Sequence, residues 1–159
     1  MPSMHVARNA SSSCLLANSL YVFCGHNTAG YLNSVERLRM VESGSDQNKQ
    51  AWELLPAQDD RNLITPRELP LACPLNGSEI LIMGGQSQQG MHSDAFVFNI
   101  QTSAVHKIAQ GSMNFYSGNN QCVNVAEDRV MALVQDDAFR PKFIEFTKSS
   151  KQITDMNAL

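Results

Sequence analysis

The residues in this chain with the chemistry to catalyse anything are few and scattered. His92-Ser93-Asp94 holds the residue types of a hydrolase triad, but neighbours along a strand point to opposite faces, and a triad is defined by geometry. Gly85-Gln86-Ser87-Gln88-Gln89-Gly90 approaches a nucleophile elbow, yet the second glycine comes one residue late and no helix pattern follows. The histidines, His5, His26, His92 and His106, lack the two-to-five-residue spacing of metal ligands, and no cysteine stands in register with them. The carboxylate pairs Asp59-Asp60 and Asp136-Asp137 fall in loop-like stretches and offer too few oxygens for a cation. No catalytic residue, cofactor or metal site is therefore assigned from the sequence.

The elements that would carry these side chains repeat. Leu20-Tyr21-Val22-Phe23-Cys24-Gly25 aligns with Ile80-Leu81-Ile82-Met83-Gly84-Gly85, and more weakly with Arg129 to Val134. A second apolar run follows in each copy, ending at Leu38, Phe98 and Phe146; a further apolar position follows at Trp52, Val105 and Ile153. Ahead of each first run stands a cysteine in phase, Cys14, Cys73 and Cys122, inside a stretch of small or apolar residues. An in-phase set of this kind reads as small side chains packed into a crowded strand rather than as chemistry. The pattern predicts four short antiparallel strands per copy: 11–16, 20–24, 34–39 and 51–55; 70–75, 79–83, 94–100 and 104–109; 120–125, 129–134, 142–147 and 151–155. Asn18-Ser19, Asn76-Gly77 and Glu127-Asp128 supply turns, and the polar stretch from Val41 to Gln50 reads as an inserted loop.

An apolar strand ending in glycine, a loop, a strand ending in an aromatic, then a tryptophan resembles the kelch repeat. The match is best for LYVFCG…LNSVERL…WELLP, then for ILIMGG…SDAFVFN, and Pro66-Arg67 is similar to the proline-arginine that opens such a repeat, with Arg8 a looser counterpart. Cys24, Leu38 and the Leu133-Val134 pair depart from the family's pattern, and only the first copy has the Trp. The resemblance implies an all-β chain of kelch-type β-propeller blades, four-stranded antiparallel meanders at about 4–56, about 63–110 and, degenerate, about 113–156. About three blades make an incomplete ring, so the reading expects the remaining blades on a longer chain or, second, on another copy of this one. It implies a scaffold that binds a protein or peptide through loops on one face, as a substrate-recognition or cytoskeletal adaptor. By position, the resemblance points to Arg8, His26, Asn27, Tyr31, Arg67, Gln86, Gln88 and His92 as the residues that meet a partner. A propeller enzyme acting on a sugar or other small molecule, and a structural part of a larger assembly, are the alternatives.

Composition narrows the partners. Of 159 residues, 43% are hydrophobic and 17% charged, enough apolar material for a core. A net charge of −3 gives no excess of cations to displace counterions from a nucleic acid. The apolar runs are far short of the roughly 20 residues a spanning helix needs, and the N-terminus lacks the pattern of a secretion signal. The sequence reading is of a cytoplasmic protein with reduced thiols, no membrane contact and incidental Asn9 and Asn76 sequons.

Overall fold

A computed structural model describes residues 2–40, 50–56 and 64–156. Most of the insert that follows Met40, and the Asp59-Asp60 pair, lie outside the described residues. The described chain is almost entirely β-structure, in antiparallel sheets that do not close on themselves.

The first meander comprises β1 (Ser12–Leu16), β2 (Ser19–Phe23), β5 (Val35–Arg39) and β6 (Trp52–Leu54), hydrogen-bonded in that order. Ala17 and Asn18, both with positive φ, turn β1 into β2, a twist that matches the right-handed strands it joins. Between β2 and β5 stands a small hairpin, β3 (His26–Asn27) with β4 (Gly30–Tyr31). The second meander is β7 (Leu71–Pro74), β8 (Glu79–Met83), β10 (Gly90–Asn99) and the first part of β11 (Val105–Ala126); β9 (Gln86–Ser87) pairs with the start of β10. The third is the last part of β11, β12 (Arg129–Gln135), β13 (Pro141–Thr147) and β14 (Gln152–Asp155).

The strands fall close to the sequence-predicted ones, with two differences. The predicted gap between 109 and 120 does not exist: β11 continues through it, pairing with β10 up to Phe115 and with β12 from Tyr116. Register shifts between Tyr116 and Gln121 accommodate the transfer from one sheet to the next. The two-residue ladders β3, β4 and β9 were also unforeseen, being too short for an alternating pattern to register.

Pairing also fixes the alignment of the copies. Leu20 opposes Leu38, Ile80 opposes Phe98 and Val130 opposes Phe146. Val134 is thereby the counterpart of Cys24 and Gly84, and Gln135 that of Gly25 and Gly85, one residue on from the phase read in the sequence. Without glycines, β12 runs on to Gln135 where β2 and β8 stop at Phe23 and Met83.

The core lies between the meanders. Tyr21, Phe23 and Val35 of the first pack against Ala72, Ile80, Ile82, Phe96 and Phe98 of the second. Phe23 and Phe98 meet edge to face at 5.4 Å between centroids, a preferred aromatic geometry. The opposite face of the second, Leu71, Cys73, Leu81, Met83, Ala95 and Val97, packs against Val130, Ala132, Val134, Ile144 and Phe146 of the third. Strand alternation thus gives each sheet one face for the meander before it and one for the meander after it.

At the two outer faces the outcomes differ. On the first meander, Val22, Leu38 and Trp52 form a small cluster with Met4. The N-terminal segment lies over it: Trp52 Nε1 donates to Pro2 O at 3.2 Å, and His5 Nε2 bonds Trp52 O at 2.8 Å. On the third meander, Val123, Val125 and Phe143 stay 58%, 45% and 50% exposed.

Candidate functional site

Two arginines open the candidate set, and both are internal. Arg8 Nη1 donates to Cys24 O at 2.7 Å and to Ser34 O at 3.1 Å, while Nη2 donates to Ser34 Oγ and to Glu36 Oε1 at 2.7 Å. Glu36 also accepts the amides of His5 and Val6. Burial pushes the Glu36 carboxyl up, but the Arg8 hydrogen bond, the two amides and the Arg8 charge outweigh it and hold the group below its ordinary value.

Arg67 repeats the arrangement. Its Nη1 donates to Gly84 O at 2.7 Å, the counterpart of Cys24 O, and to Asp94 Oδ1 at 2.6 Å; Nε donates to Thr65 O at 2.9 Å. Asp94 stands opposite Gly84 as Ser34 stands opposite Cys24, each carbonyl accepting the facing amide at 3.1 Å. Burial opposes ionisation of Asp94, and the Arg67 hydrogen bond and charge, with Lys107, reverse the balance, so its carboxyl sits below the ordinary value. A buried guanidinium whose donors are engaged in this way holds the sheet ends together rather than facing a partner. The resemblance had placed Arg8 and Arg67 by position among the partner-facing residues; their bonds put them inside.

The glycines between these arginines and the hairpins have a local cause. Gly25 and Gly85 have φ of +98° and +92°, and a Cβ on either would stand 2.6 Å from a backbone oxygen, that of Asn9 or Glu68. Their amides bond Arg67 O and Phe115 O, both at 2.8 Å. Phe115 therefore takes in the third module the place Arg67 takes in the second, fully buried and against Gly84.

The remaining candidates lie on the hairpins that follow those glycines. His26 pairs with Tyr31 and Asn27 with Gly30; Gln86 pairs with Met91 and Ser87 with Gly90. His26 and Gln86 are equivalent, since each exchanges two backbone bonds with the segment leading into its module, His26 with Asn9 and Gln86 with Glu68. His92 corresponds instead to Leu32, each amide donating to the glycine carbonyl, Gly85 or Gly25, at 2.8 Å. The two histidines thus occupy different hairpin positions.

One residue that sequence reasoning missed joins the hairpins. Glu68 accepts from Gln86 Nε2 at 2.7 Å through Oε1, and its Oε2 faces His26 Nδ1 in an ion-pair contact. Its position immediately after Pro66-Arg67 was the available signal. His26 and Tyr31 ring centroids are 6.4 Å apart. Asn27 Nδ2 donates to Ala7 O at 3.1 Å, and its Oδ1 caps the turn by accepting from Ala29 N at 2.8 Å. Gln88 is exposed. His92 Nε2 meets Ser87 Oγ at 3.0 Å; burial, then the Arg67 charge, lowers the pKa of its ring and favours the neutral form. The result is a polar row crossing two modules: Tyr31, His26, Glu68, Gln86, with Asn27 and Gln88 at the hairpin tips.

Elsewhere the described residues offer little chemistry. No group of three His, Cys, Asp or Glu among them could hold a metal ion. A cavity of about 160 Å³ between the first two modules is lined mainly by apolar residues, Val35, Leu54, Leu55, Ile64, Phe98 and Val105 among them. Asp136 serves a turn, accepting from Ala138 N and from Arg140 N and Nε. Among the described residues no helix is long and apolar enough to cross a membrane. No protein-family model matches the chain, and a search of curated proteins finds no match either.

Proposed function

We propose that the chain is part of a kelch-type β-propeller that serves as a protein-interaction scaffold, with the hairpins after Gly25 and Gly85 forming the face that meets a protein or peptide partner. The observation that carries this reading is the Glu68 carboxylate, which contacts His26 on one hairpin and Gln86 on the next. Loops fixed to one another present a single preorganised surface, and preorganisation lowers the entropic cost of binding. Tyr31 supplies a rigid, amphipathic contact and Gln88 an adaptable hydrogen-bonding one; such residues carry interface energy out of proportion to their number. Arg8 and Arg67 act here from beneath, holding the backbone on which the hairpins stand.

The test is a comparison of quantitative proximity labelling between the wild-type chain and a Tyr31→Ala/Gln88→Ala variant. A Gln101→Ala variant, changed in an exposed turn outside the hairpins, is the control. Partners retained by wild type and control but lost by the hairpin variant support the reading. Equal recovery from all three overturns it.

A second reading concerns assembly and rests on the outward face of the third meander. Val123, Val125 and Phe143 are exposed there, in the positions by which the second meander packs onto the third. We infer that a further four-stranded sheet of the same kind, on a longer chain, covers them. The present chain is then monomeric in sedimentation and binds a hydrophobic dye that a Phe143→Lys variant binds less; a stable dimer of this chain would overturn that assignment in favour of a second copy.

A further inference from the structure

Three of the four cysteines stand on strands that run side by side where the modules meet: Cys14 on β1, Cys73 on β7 and Cys122 on β11. β1 lies against β7, and β7 against β11. Across the second of these seams Cys73 lies in one core cluster and Cys122 packs against it, and each thiol shifts the pKa of the other. Each also reaches backbone on β7: Cys122 Sγ lies 3.6 Å from Ala72 O, and Cys73 Sγ lies 3.6 Å from Pro74 O. The seam is pinned just beyond the pair, by Asn124 Nδ2 donating to Pro74 O at 2.9 Å and Lys148 Nζ donating to Leu75 O at 2.6 Å. The two thiols are thus held together by a framework that does not depend on them.

Their surroundings are unequal. Cys73 is 1% exposed, whereas Cys122 is half-buried. A small oxidant can reach one and not the other.

We propose that Cys73 and Cys122 are a redox pair, closed to a disulfide by hydrogen peroxide and reopened by thiols, that staples the second module to the third. In the first step the Cys122 thiol gives up its proton and the thiolate attacks one oxygen of the peroxide; the O–O bond breaks, Cys122 becomes a sulfenic acid, and the second oxygen takes up the released proton and leaves as water. In the next step the Cys73 sulfur attacks the sulfenic sulfur. The S–O bond breaks, the S–S bond forms, and the hydroxide released takes the Cys73 proton to leave as a second water. Two thiols have lost two electrons and two protons, and one peroxide has become two waters.

The division of labour agrees with the electrostatics. Interaction with the Cys73 thiol lowers the pKa of the Cys122 thiol against the opposing effect of burial, and interaction with Cys122, then burial, raises that of Cys73. Burial pushes the thiols of Cys14 and Cys24 up to about 12, and so keeps them protonated. Thiolate fraction decides which cysteine attacks.

The experiment treats the full native chain with a small excess of hydrogen peroxide, blocks remaining thiols with a maleimide, and maps the tryptic peptides without reduction. Cleavage after Arg67, Lys107 and Arg129 separates the two cysteines into peptides 68–107 and 108–129. The expected result is a linked pair of these peptides, with Cys14 and Cys24 blocked. Dithiothreitol should abolish the link, and the oxidised chain should melt about 5 °C or more higher, as closing a loop of this length in the unfolded chain requires. Cys122→Ser and Cys73→Ser should each abolish the link, and Cys14→Ser should leave it. Peroxide that leaves all four thiols free, that links Cys73 to Cys14, or that over-oxidises Cys122 while Cys73 stays free would overturn the proposal.

Discussion

Arg67 and Asp94 form a charge-assisted pair at 2.6 Å in which the arginine side chain has no contact with water at all. The pair joins the segment that opens the second module to the strand end opposite Gly84, and Phe96 lies beneath the guanidinium at 5.2 Å. A surface role for this arginine is incompatible with that burial.

Replacing Arg67 should therefore unfold the chain rather than merely loosen a partner. Arg67→Met leaves the Asp94 carboxylate buried without its main counter-charge, which costs about 3–5 kcal/mol. Urea denaturation measures it, and a loss below about 1 kcal/mol would show the pair to be dispensable. The same pair sets an acid limit. The Asp94 carboxyl has a folded-state pKa below its unfolded value, so its contribution is complete above the unfolded pKa of about 3.9 and is lost as the pH falls through the folded value. Stability measured from pH 6 downward should drop below about pH 4, and less so in Asp94→Asn.

Gly84 is tested by adding a single methyl. Its φ is +64°, and a Cβ there would sit 2.5 Å from the Phe115 ring and 2.6 Å from the Phe115 carbonyl oxygen. Gly84→Ala should cost about 2 kcal/mol or more through strain and overpacking. Gly77→Ala, with open space around its Cβ, should change stability by less than about 0.5 kcal/mol. Equal effects at the two positions would remove the close approach as the cause.

The Glu68 bridge calls for a coupling measurement. A double-mutant cycle between His26→Ala and Gln86→Ala should show an interaction of about 0.5 kcal/mol in the wild-type background. In a Glu68→Ala background it should vanish, because the two hairpins communicate through that carboxylate. Each single change should cost no more than about 1.5 kcal/mol, the ordinary range for a single side-chain hydrogen bond.

Trp52 reports on the N-terminal cover without a label, since it is the chain's single tryptophan. It is 8% exposed, and the backbone of Pro2 and the ring of His5 sit against it. Deleting residues 2–6 should move its emission to longer wavelength and lower stability by about 2 kcal/mol. Unchanged emission would mean that something else shields the indole.

Most strands were legible in the sequence because β2, β8 and β12 are short apolar runs and each copy repeats the pattern. The continuous β11 was not. Gly111, Ser112, Asn114 and the run from Ser117 to Asn120 have turn composition, and the strand is carried across them by pairing on either side, of Gln110 and Phe115 with β10 and of Tyr116 and Gln121 with β12, which no local signal encodes. Loops after Gly25 and Gly85 were legible, but their pairing into hairpins and the link between them were hidden, since nothing in the spacing of Glu68 announces that its side chain spans two modules. Arg8 and Arg67 mark the sharper limit. Their place at the repeat openings pointed to a partner-facing role, and only the carbonyls of Cys24 and Gly84, brought into place by folding, explain why they are buried.

The unbroken course of β11 has a mechanical consequence. Two sheets that share a strand cannot fray independently along it: a solvent-opening fluctuation that frees its pairing to β10 also loosens the end held by β12. Amides of the second and third meanders should then exchange with heavy water as one cooperative block, whereas those of the first, which owns all four of its strands, form a separate block with its own opening rate.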